Sequence, residues 1–396
     1  MRTKPSAPHT PLRPPAPAAG RPASALSHAK DTRKAAAQII DQLSEQLHGA
    51  SPTVVIAFCS PAHDDAVLAG ELRERFPSAQ VVGCTTAGEF VERDGSVGGV
   101  SAMALPVGTV RAAHLALARF GRGVDAGIQA ATAQLSRSVG ADLRTLDPKR
   151  YVGIVLSEGL RMKEEVAADA LGAAAPQLVF VGGSAGDDLG FKETRVFAGT
   201  ERSNDGAALL LLDMAVPFTF TKTCSFVPTQ HRFTVTRADE ANRVVYELDG
   251  RPALEAYAAA AGTTPASLGG EVFMTHPVGM MLDGDPWIRS PQQALPDGGL
   301  KFYCRITEGS EVHLMQSTDL VRETRQAVAR AVEELGGRAG GALVFNCILR
   351  RLELDAKDAH ESFRSAFAGL PTAGFHTYGE IYLGHVNQTA TALVFG

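Results

Sequence analysis

Carboxylates close three glycine-rich loops of this sequence, and their placement makes them candidates for ligand binding. Glu89, Asp187 and Glu380 each follow a run of small residues that ends in glycine. A carboxylate there could accept hydrogen bonds from an amino group or another polar group of a small ligand at the mouth of a pocket. It could equally bond the backbone N–H groups of its own loop and fix the turn. Both interpretations stay open from the sequence.

The three loops are copies of one motif. The copies are Gly83-Cys84-Thr85-Thr86-Ala87-Gly88-Glu89, the shorter Gly182-Gly183-Ser184-Ala185-Gly186-Asp187, and Gly374-Phe375-His376-Thr377-Tyr378-Gly379-Glu380. Glycine lets a backbone approach its surroundings closely, so the repeat predicts a shared pocket. Cys84, Thr85 and Tyr378 are therefore candidate pocket residues. Because His376 stands where the first copy has Thr85, we expect such substitutions to set ligand identity.

Each copy lies within the same order of elements. In the first unit an apolar run at 54–60 is followed by an amphipathic helix that ends before Pro77, then by short strands at 80–82 and 98–105. Units that begin near 151 and 342 repeat this order. The helical crossover predicts that the first two strands are parallel and that the last pair is antiparallel. The sequence thus predicts an α/β fold with mixed sheets, in two domains built from strand–helix–strand–strand units.

The segment between the second and third units departs from this pattern. Alternating residues at 233–239 and 242–250 predict a hairpin, and a helix is expected to open at Arg251-Pro252. Residues 1–32, rich in proline and alanine and basic, predict a disordered arm. We therefore expect an N-terminal domain at 33–235 and a C-terminal domain at 236–396.

Composition limits the class of protein. The formal net charge is −5, and the arm is basic, so the remainder is acidic and is not expected to bind nucleic acid. No apolar run approaches the roughly 20 residues that span a bilayer, and no export signal is recognised. The five cysteines include no CxxC pair. This pattern favours the reducing cytoplasm over a disulfide framework or a structural zinc site.

Several segments together resemble the FIST family. They are Val82 to Glu89, Gly182 to Asp187, Tyr246-Glu247-Leu248-Asp249-Gly250-Arg251-Pro252-Ala253, Thr377 to Glu380, and Asn387-Gln388-Thr389. The resemblance implies an intracellular sensory protein of bacterial signal transduction that binds a small ligand and has no established catalysis. It also implies a partner in trans, such as a sensor histidine kinase or a cyclic-di-GMP enzyme. A standalone subgroup that senses nitric oxide is similar in length and organisation, and it binds haem.

A haem sensor of that kind would need an axial ligand, most commonly histidine. We rank His376 first because it lies in a repeated loop, then His276, which methionines flank, and then His385. Arg289 could clamp a haem propionate in a bidentate manner. The ligand site predicted on this resemblance comprises His376, His276, His385, Tyr378, Arg289, Cys84, Thr85, Glu89 and Glu380.

Two alternatives to haem stay open. One is a FIST sensor of an amino acid or a similar metabolite. The other is an enzyme, for which Cys84 or Ser157-Glu158-Gly159 could supply a nucleophile. The sequence contains no GxSxG, Walker or HExxH motif, so the enzyme is the weakest of the three hypotheses.

Overall fold

The computed structural model describes residues 20–396. Over that range the helices are α1 (Thr32–Leu47), α2 (Asp65–Arg75), α3 (Val124–Val139), α4 (Glu164–Ala174), α5 (Ala253–Ala260), α6 (Gly270–Thr275), α7 (Leu320–Glu334), α8 (Ile348–Ala356) and α9 (His360–Arg364). None of these helices is long and apolar enough to cross a membrane.

The strands form four sheets. They are β1 (Ala23–Ser27), β2 (Pro52–Cys59), β3 (Gln80–Thr85), β4 (Glu89–Val91), β5 (Gly95–Ser96), β6 (Val100–Pro106), β7 (Val110–Arg119), β8 (Tyr151–Ser157), β9 (Phe180–Ser184), β10 (Val196–Ala198), β11 (Glu201–Ser203), β12 (Gly206–Met214), β13 (Phe218–Cys224), β14 (Phe226–Asp239), β15 (Val244–Leu248), β16 (Arg251–Pro252), β17 (Val278–Leu282), β18 (Asp285–Arg289), β19 (Pro291–Ala294), β20 (Leu300–Phe302), β21 (Glu311–Ser317), β22 (Gly341–Cys347), β23 (Thr372–Thr377), β24 (Glu380–Tyr382), β25 (His385–Val386) and β26 (Thr389–Phe395).

Three strand–helix–strand units carry the glycine loops, as the repeat predicts. Helix α2 connects β2 to β3, α4 connects β8 to β9, and α8 with α9 connects β22 to β23. Each strand pair is parallel. In these pairs Gly83 lies opposite Ala57, Gly182 opposite Val155 and Gly374 opposite Val344. The mixed α/β class is therefore confirmed.

The last strand of each unit is antiparallel, but it does not pair with the strand before it. Strands β6, β12 and β26 instead pair with β2, β8 and β22, the first strands of their own units. In each unit the second parallel strand (β3, β9 or β23) pairs on its other side with a hairpin from another unit. The last strand of the unit therefore lies on the far side of the first parallel strand.

These hairpins are exchanged around a ring of three units. Hairpin β4–β5 of the first unit pairs with β23 of the third. Hairpin β24–β25 of the third pairs with β9 of the second, and β10–β11 of the second pairs with β3 of the first. Each sheet is thus completed by a neighbour, and the chain brings its first and last units into direct contact.

The repeated glycine is required by the spacing of the parallel strands. A Cβ atom on Gly83 would lie 1.9 Å from the carbonyl oxygen of Ala57, and one on Gly182 would lie 1.8 Å from that of Val155. No side chain fits at these distances. The glycines at the start of the motif therefore serve strand packing rather than the approach of a ligand.

The main hydrophobic core lies between the three sheets. It contains residues of all three units, including Phe58, Phe345 and Phe375, whose rings contact one another. The centroids of Phe58 and Phe375 are 4.6 Å apart. The loops at the strand ends are consequently held by one shared core.

The fourth sheet is formed by the segment between the second and third units. Its order is β18-β17-β21-β14-β15-β20-β19, with β16 on β15. The predicted hairpin is confirmed as β14 and β15, and α5 begins at Ala253 directly after Arg251-Pro252. The predicted domain boundary at 235/236 falls inside β14, so it does not coincide with the end of a strand. The two-domain division stays a prediction.

The predicted disordered arm is too long at its C-terminal end. Residues 1–19 lie outside the described residues, but Ala23–Ser27 forms β1 and pairs antiparallel with β6. Ala23, Ala25 and Leu26 are buried there. Alanine-rich composition suggested a solvated segment, whereas small side chains fit the narrow space between β6 and α1.

Candidate functional site

The three glycine loops meet, and their backbones bond to one another in a cycle. The N–H of Ala87 donates to the carbonyl of His376, that of Gly186 to Thr85, and that of Tyr378 to Ser184, at 3.0–3.2 Å. These pairs join equivalent positions of the three copies. The repeat therefore builds a common centre from the three loops, and the pockets lie around it.

Two of the loop carboxylates fix their own loops. Glu89 accepts hydrogen bonds from the Thr86 hydroxyl and, at 3.1 Å, from the N–H of Gly99. Glu380 accepts from Thr377 and from the hydroxyl of Thr389 at 2.7 Å. Burial raises the pKa of Glu89 to about 8 and that of Glu380 to about 7. The turn-fixing interpretation of these two residues agrees with this geometry.

Asp187 also serves its own loop. Its carboxylate accepts from the backbone N–H groups of Phe191 at 2.9 Å, Lys192 at 2.6 Å and Glu193 at 3.0 Å, and from the Tyr378 hydroxyl at 2.5 Å. The last bond connects the third loop to the segment that follows the second. Asp187 therefore positions Tyr378 at the edge of a cavity.

This cavity has a volume of about 410 Å³ and lies between the loops, the fourth sheet and α8. We call it the Tyr378 pocket. Its volume falls within the roughly 300–1,000 Å³ typical of small-molecule sites. Apolar side chains dominate its wall, namely Leu160, Met162, Leu189, Phe302, Ile348, Leu349 and Leu352.

The segment 188–191 covers one side of the Tyr378 pocket in an unusual conformation. Asp188, Leu189 and Phe191 have φ values of 53°, 64° and 48°, in the left-handed region that side chains disfavour. The Phe191 ring stacks on Tyr378 with centroids 5.2 Å apart, yet the residue is 57% exposed. The Tyr378 hydroxyl accepts from the N–H of Leu189 at 2.8 Å. Residues held in such sparsely populated backbone conformations cluster at active sites, ligand clamps and switch regions.

Two basic residues line the Tyr378 pocket, and only one of them has ion-pair and hydrogen-bond partners within the described residues. Arg243 pairs with Glu164 at 2.7 Å and with Glu165 at 2.5 Å, and it donates to the Tyr303 carbonyl at 2.6 Å. Lys301 has no ion-pair or hydrogen-bond partner for its ammonium group within residues 20–396. Lys301 is therefore the cation that a ligand could use.

His376 lies beside a different cavity of about 230 Å³, which Arg351, His360 and Arg364 also line. Its Nδ1 lies 2.9 Å from the amide nitrogen of Asn346. Arg350 can only donate, and its Nε bonds the amide oxygen of Asn346 at 2.9 Å. The amide nitrogen therefore faces His376, and Nδ1 accepts. Burial lowers the pKa of His376 well below its ordinary value, so the ring is neutral near pH 7.

His385 is buried in a polar cluster behind the Tyr378 pocket. Its Nδ1 lies 3.5 Å from the sulfur of Cys304 and 3.2 Å from Oε1 of Glu165. Burial alone would lower the pKa of this imidazole, but Cys304 and Glu165 outweigh it and hold the pKa well above its ordinary value. Arg289 donates through Nη1 to the His385 carbonyl at 3.3 Å, and its predicted role as a propionate clamp stays a prediction.

The remaining predicted residues are not gathered at one site. His276 lies in the fourth-sheet region, with Nδ1 2.9 Å from the Thr275 hydroxyl. The expectation that the Cys84 thiol faces the pocket is wrong, because Cys84 is fully buried in the main core, where burial raises its thiol pKa. Thr85 accepts from the N–H of Arg195 at 3.0 Å. Of the nine predicted residues, only Tyr378 lines the 410 Å³ cavity.

Several residues of the candidate sites carry no recognisable pattern in the sequence. Glu165 and Cys304 meet His385 although 139 and 81 residues separate neighbouring members. Lys301 and Phe191 stand in segments without a motif. The exchanged hairpin β24–β25 carries His385, whereas Cys304 and Lys301 come from the fourth-sheet region, so no local pattern predicts that these positions meet.

Comparison with known proteins agrees with this architecture. The family model for the FIST N domain matches residues 53–251, and that for the FIST C domain matches residues 253–383. Over 379 residues the chain is 26% identical to uncharacterized proteins of Mycobacterium tuberculosis strains CDC 1551 / Oshkosh and ATCC 25618 / H37Rv. Each alignment covers 90% of this chain and 93% of the relative. FIST domains are sensor domains of signal transduction, and the two models indicate no catalytic family. The chain belongs to the FIST family.

Proposed function

We propose that this protein is a non-enzymatic cytoplasmic sensor that binds a small, partly apolar anion in the Tyr378 pocket. The observation that carries this proposal is an apolar cavity of about 410 Å³ under a strained, exposed segment of the repeat. The output passes to a partner in trans, such as a histidine kinase or a cyclic-di-GMP enzyme.

The ligand class follows from the pocket wall. Apolar side chains surround most of the cavity, and Lys301 also lines it, with no ion-pair or hydrogen-bond partner for its ammonium group within residues 20–396. Arg243 is already paired with two carboxylates. A ligand with an apolar body and one carboxylate, such as an apolar amino acid or a short organic acid, matches both features.

The signal is proposed to arise in segment 188–191. Leu189 contributes to the wall and Phe191 stacks on Tyr378, so a ligand that contacts this segment changes the stability of its present conformation. A ligand shifts such an equilibrium only by its difference in affinity for the two conformations. Because Phe191 is largely exposed, its movement would change the surface offered to a partner.

The test is thermal denaturation with hexanoate, phenylacetate and L-phenylalanine, each at millimolar concentration. Hexanamide and phenylacetamide are the uncharged matches of the first two acids. A ligand that binds only the native state raises the melting temperature, and we expect this from at least one acid but not from its amide. Lys301→Gln should weaken the acid about tenfold or more, since charged hydrogen bonds contribute about 1.5–3 kcal/mol.

Leu349→Trp, which fills the cavity, is the second variant. Val107→Ala, at an exposed position outside the pocket, is the control. No stabilisation by any of the acids, or equal stabilisation of wild type and Leu349→Trp, would contradict the proposal.

Haem, with nitric oxide as the sensed gas, stays the alternative proposal, but the residues around His376 do not fit it as they stand. A neutral imidazole that ligates iron through Nε2 carries its proton on Nδ1, and there it would face the amide nitrogen of Asn346. The adjacent cavity of about 230 Å³ also lies below the usual range for drug-sized ligands. The absorption spectrum of protein from haem-replete cells decides this alternative. A Soret band that His376→Ala abolishes would support it.

A further inference from the structure

Three potential metal ligands from different parts of the chain meet behind the Tyr378 pocket. Glu165 lies on α4, Cys304 follows β20, and His385 opens β25. One carboxylate oxygen, the cysteine sulfur and one imidazole nitrogen all lie within 4.8 Å of one another. Cys304 is fully buried and His385 is 4% exposed.

The distances match a tetrahedral zinc site. Zinc lies about 2.3 Å from a cysteine sulfur and about 2.0–2.1 Å from histidine nitrogen or carboxylate oxygen. Tetrahedral angles then place sulfur and nitrogen about 3.5 Å apart, and nitrogen and oxygen about 3.3 Å apart. The observed distances are 3.5 Å from Cys304 Sγ to His385 Nδ1 and 3.2 Å from that nitrogen to Glu165 Oε1. A zinc ion therefore needs little rearrangement of these two edges.

The surrounding contacts hold the ligands in place. The N–H of Arg305 donates to Oε1 of Glu165 at 2.8 Å, and Arg243 pairs with its other oxygen. The ring of His385 fits because residue 379 is glycine, where a Cβ would lie 2.1 Å from Nε2. Asn387 contacts the Cys304 sulfur, and its amide, once turned, can donate to a thiolate.

We propose that Glu165, Cys304 and His385 form a Zn²⁺ site, with water at the fourth position. The charges agree with such an ion. Glu164 and Glu165 outnumber Arg243 by one negative charge, and Zn²⁺ with the Cys304 thiolate adds one positive charge. On binding, the Cys304 thiol and the protonated His385 ring each lose one proton to solvent, which frees the sulfur and Nδ1 to hold the ion. The ion ties α4, the fourth sheet and the hairpin β24–β25 together, and it stands directly behind the pocket wall.

The test uses the full-length protein, first stripped with a chelator and then titrated with Co²⁺ and Zn²⁺. Cobalt bound by cysteine sulfur gives a charge-transfer absorption band in the near ultraviolet. We expect one Co²⁺ per chain with that band, and its stoichiometric displacement by Zn²⁺. Cys304→Ser should remove the band. His385→Gln should lower the affinity for Zn²⁺ by more than the roughly 10–100-fold typical of changes to residues that only contact a ligand.

Cys224→Ser, which changes another free cysteine, is the matched control and should keep the band. Wild-type protein that binds no Co²⁺, or a band that survives Cys304→Ser but is lost in Cys224→Ser, would overturn the proposal. A folded apo protein that takes up no zinc at micromolar concentration would overturn it as well, and would mean that a proton on His385 balances the cluster. None of these readouts depends on a ligand in the Tyr378 pocket.

Discussion

At the scale of single residues, the buried carboxylates Glu89 and Glu380 stabilise the glycine loops that contain them. Their role as turn-fixing groups was one of two interpretations that the sequence left open. Which interpretation applies depends on where Thr86, Thr389 and Gly99 lie relative to the carboxylates. These positions follow from the fold rather than from the motif. The same holds for His376, whose tautomer is set by Asn346 and Arg350.

The first prediction concerns the pH dependence of stability through Glu89. Burial raises its pKa to about 8, above the value near 4.5 that it has when exposed, so the folded protein binds the proton more tightly than the unfolded chain. The free energy of unfolding from this group is therefore fully present below about pH 4.5 and is lost as pH rises towards 8. At about 1.4 kcal/mol per pKa unit, the loss amounts to a few kcal/mol.

Urea denaturation of wild type and Glu89→Gln at pH 5 and pH 8.5 measures this effect. The variant should lose less stability between the two pH values. Glu271→Gln, at an exposed carboxylate in the fourth-sheet region, is the control and should behave like wild type. Parallel pH dependence in Glu89→Gln and wild type would show that Glu89 is ionised in the fold.

At the scale of elements, the sequence predicts the strand–helix–strand core of each unit but not the exchange of hairpins. Periodicity and the glycine loops identify the parallel pairs, because these signals are local. The pairing of β4 with β23 joins residues 89–91 to residues 373–375, and its cause is the ring of three units. Strand β1 could not be predicted from its composition, because its alanines have no strand propensity of their own.

The second prediction concerns the close approach of parallel strands. Gly83→Ala places a Cβ 1.9 Å from a backbone oxygen of the neighbouring strand, so the strands must separate. We expect a loss of at least the roughly 1–3 kcal/mol typical of overpacked cores. Urea denaturation measures it.

Gly70→Ala on α2 is the matched control, because nothing lies within 4 Å of the added methyl group. Alanine is favoured over glycine inside a helix, so this variant should be neutral or more stable by up to about 1 kcal/mol. Equal midpoints for Gly83→Ala and wild type would refute the packing argument.

At the scale of the whole molecule, the second and third repeated units and the inserted fourth sheet line the Tyr378 pocket together. The second unit contributes Leu189 and Phe191, the fourth sheet contributes Lys301, and the third unit contributes Leu349. The sequence identified the family and one wall residue, Tyr378. The other walls could not be predicted, because they come from segments that are far apart in the chain and carry no shared pattern.

The most direct test of the account is hydrogen–deuterium exchange with and without the acid that stabilises the protein most in the thermal screen. Amides at 186–195 should exchange more slowly with that acid, since Leu189 and Phe191 line the pocket and the backbone of residues 188, 189 and 191 lies in the left-handed region. The protection should be lost in Leu349→Trp. Unchanged exchange at 186–195, or protection confined to 351–364 beside His376, would contradict the assignment of the sensory site to the Tyr378 pocket.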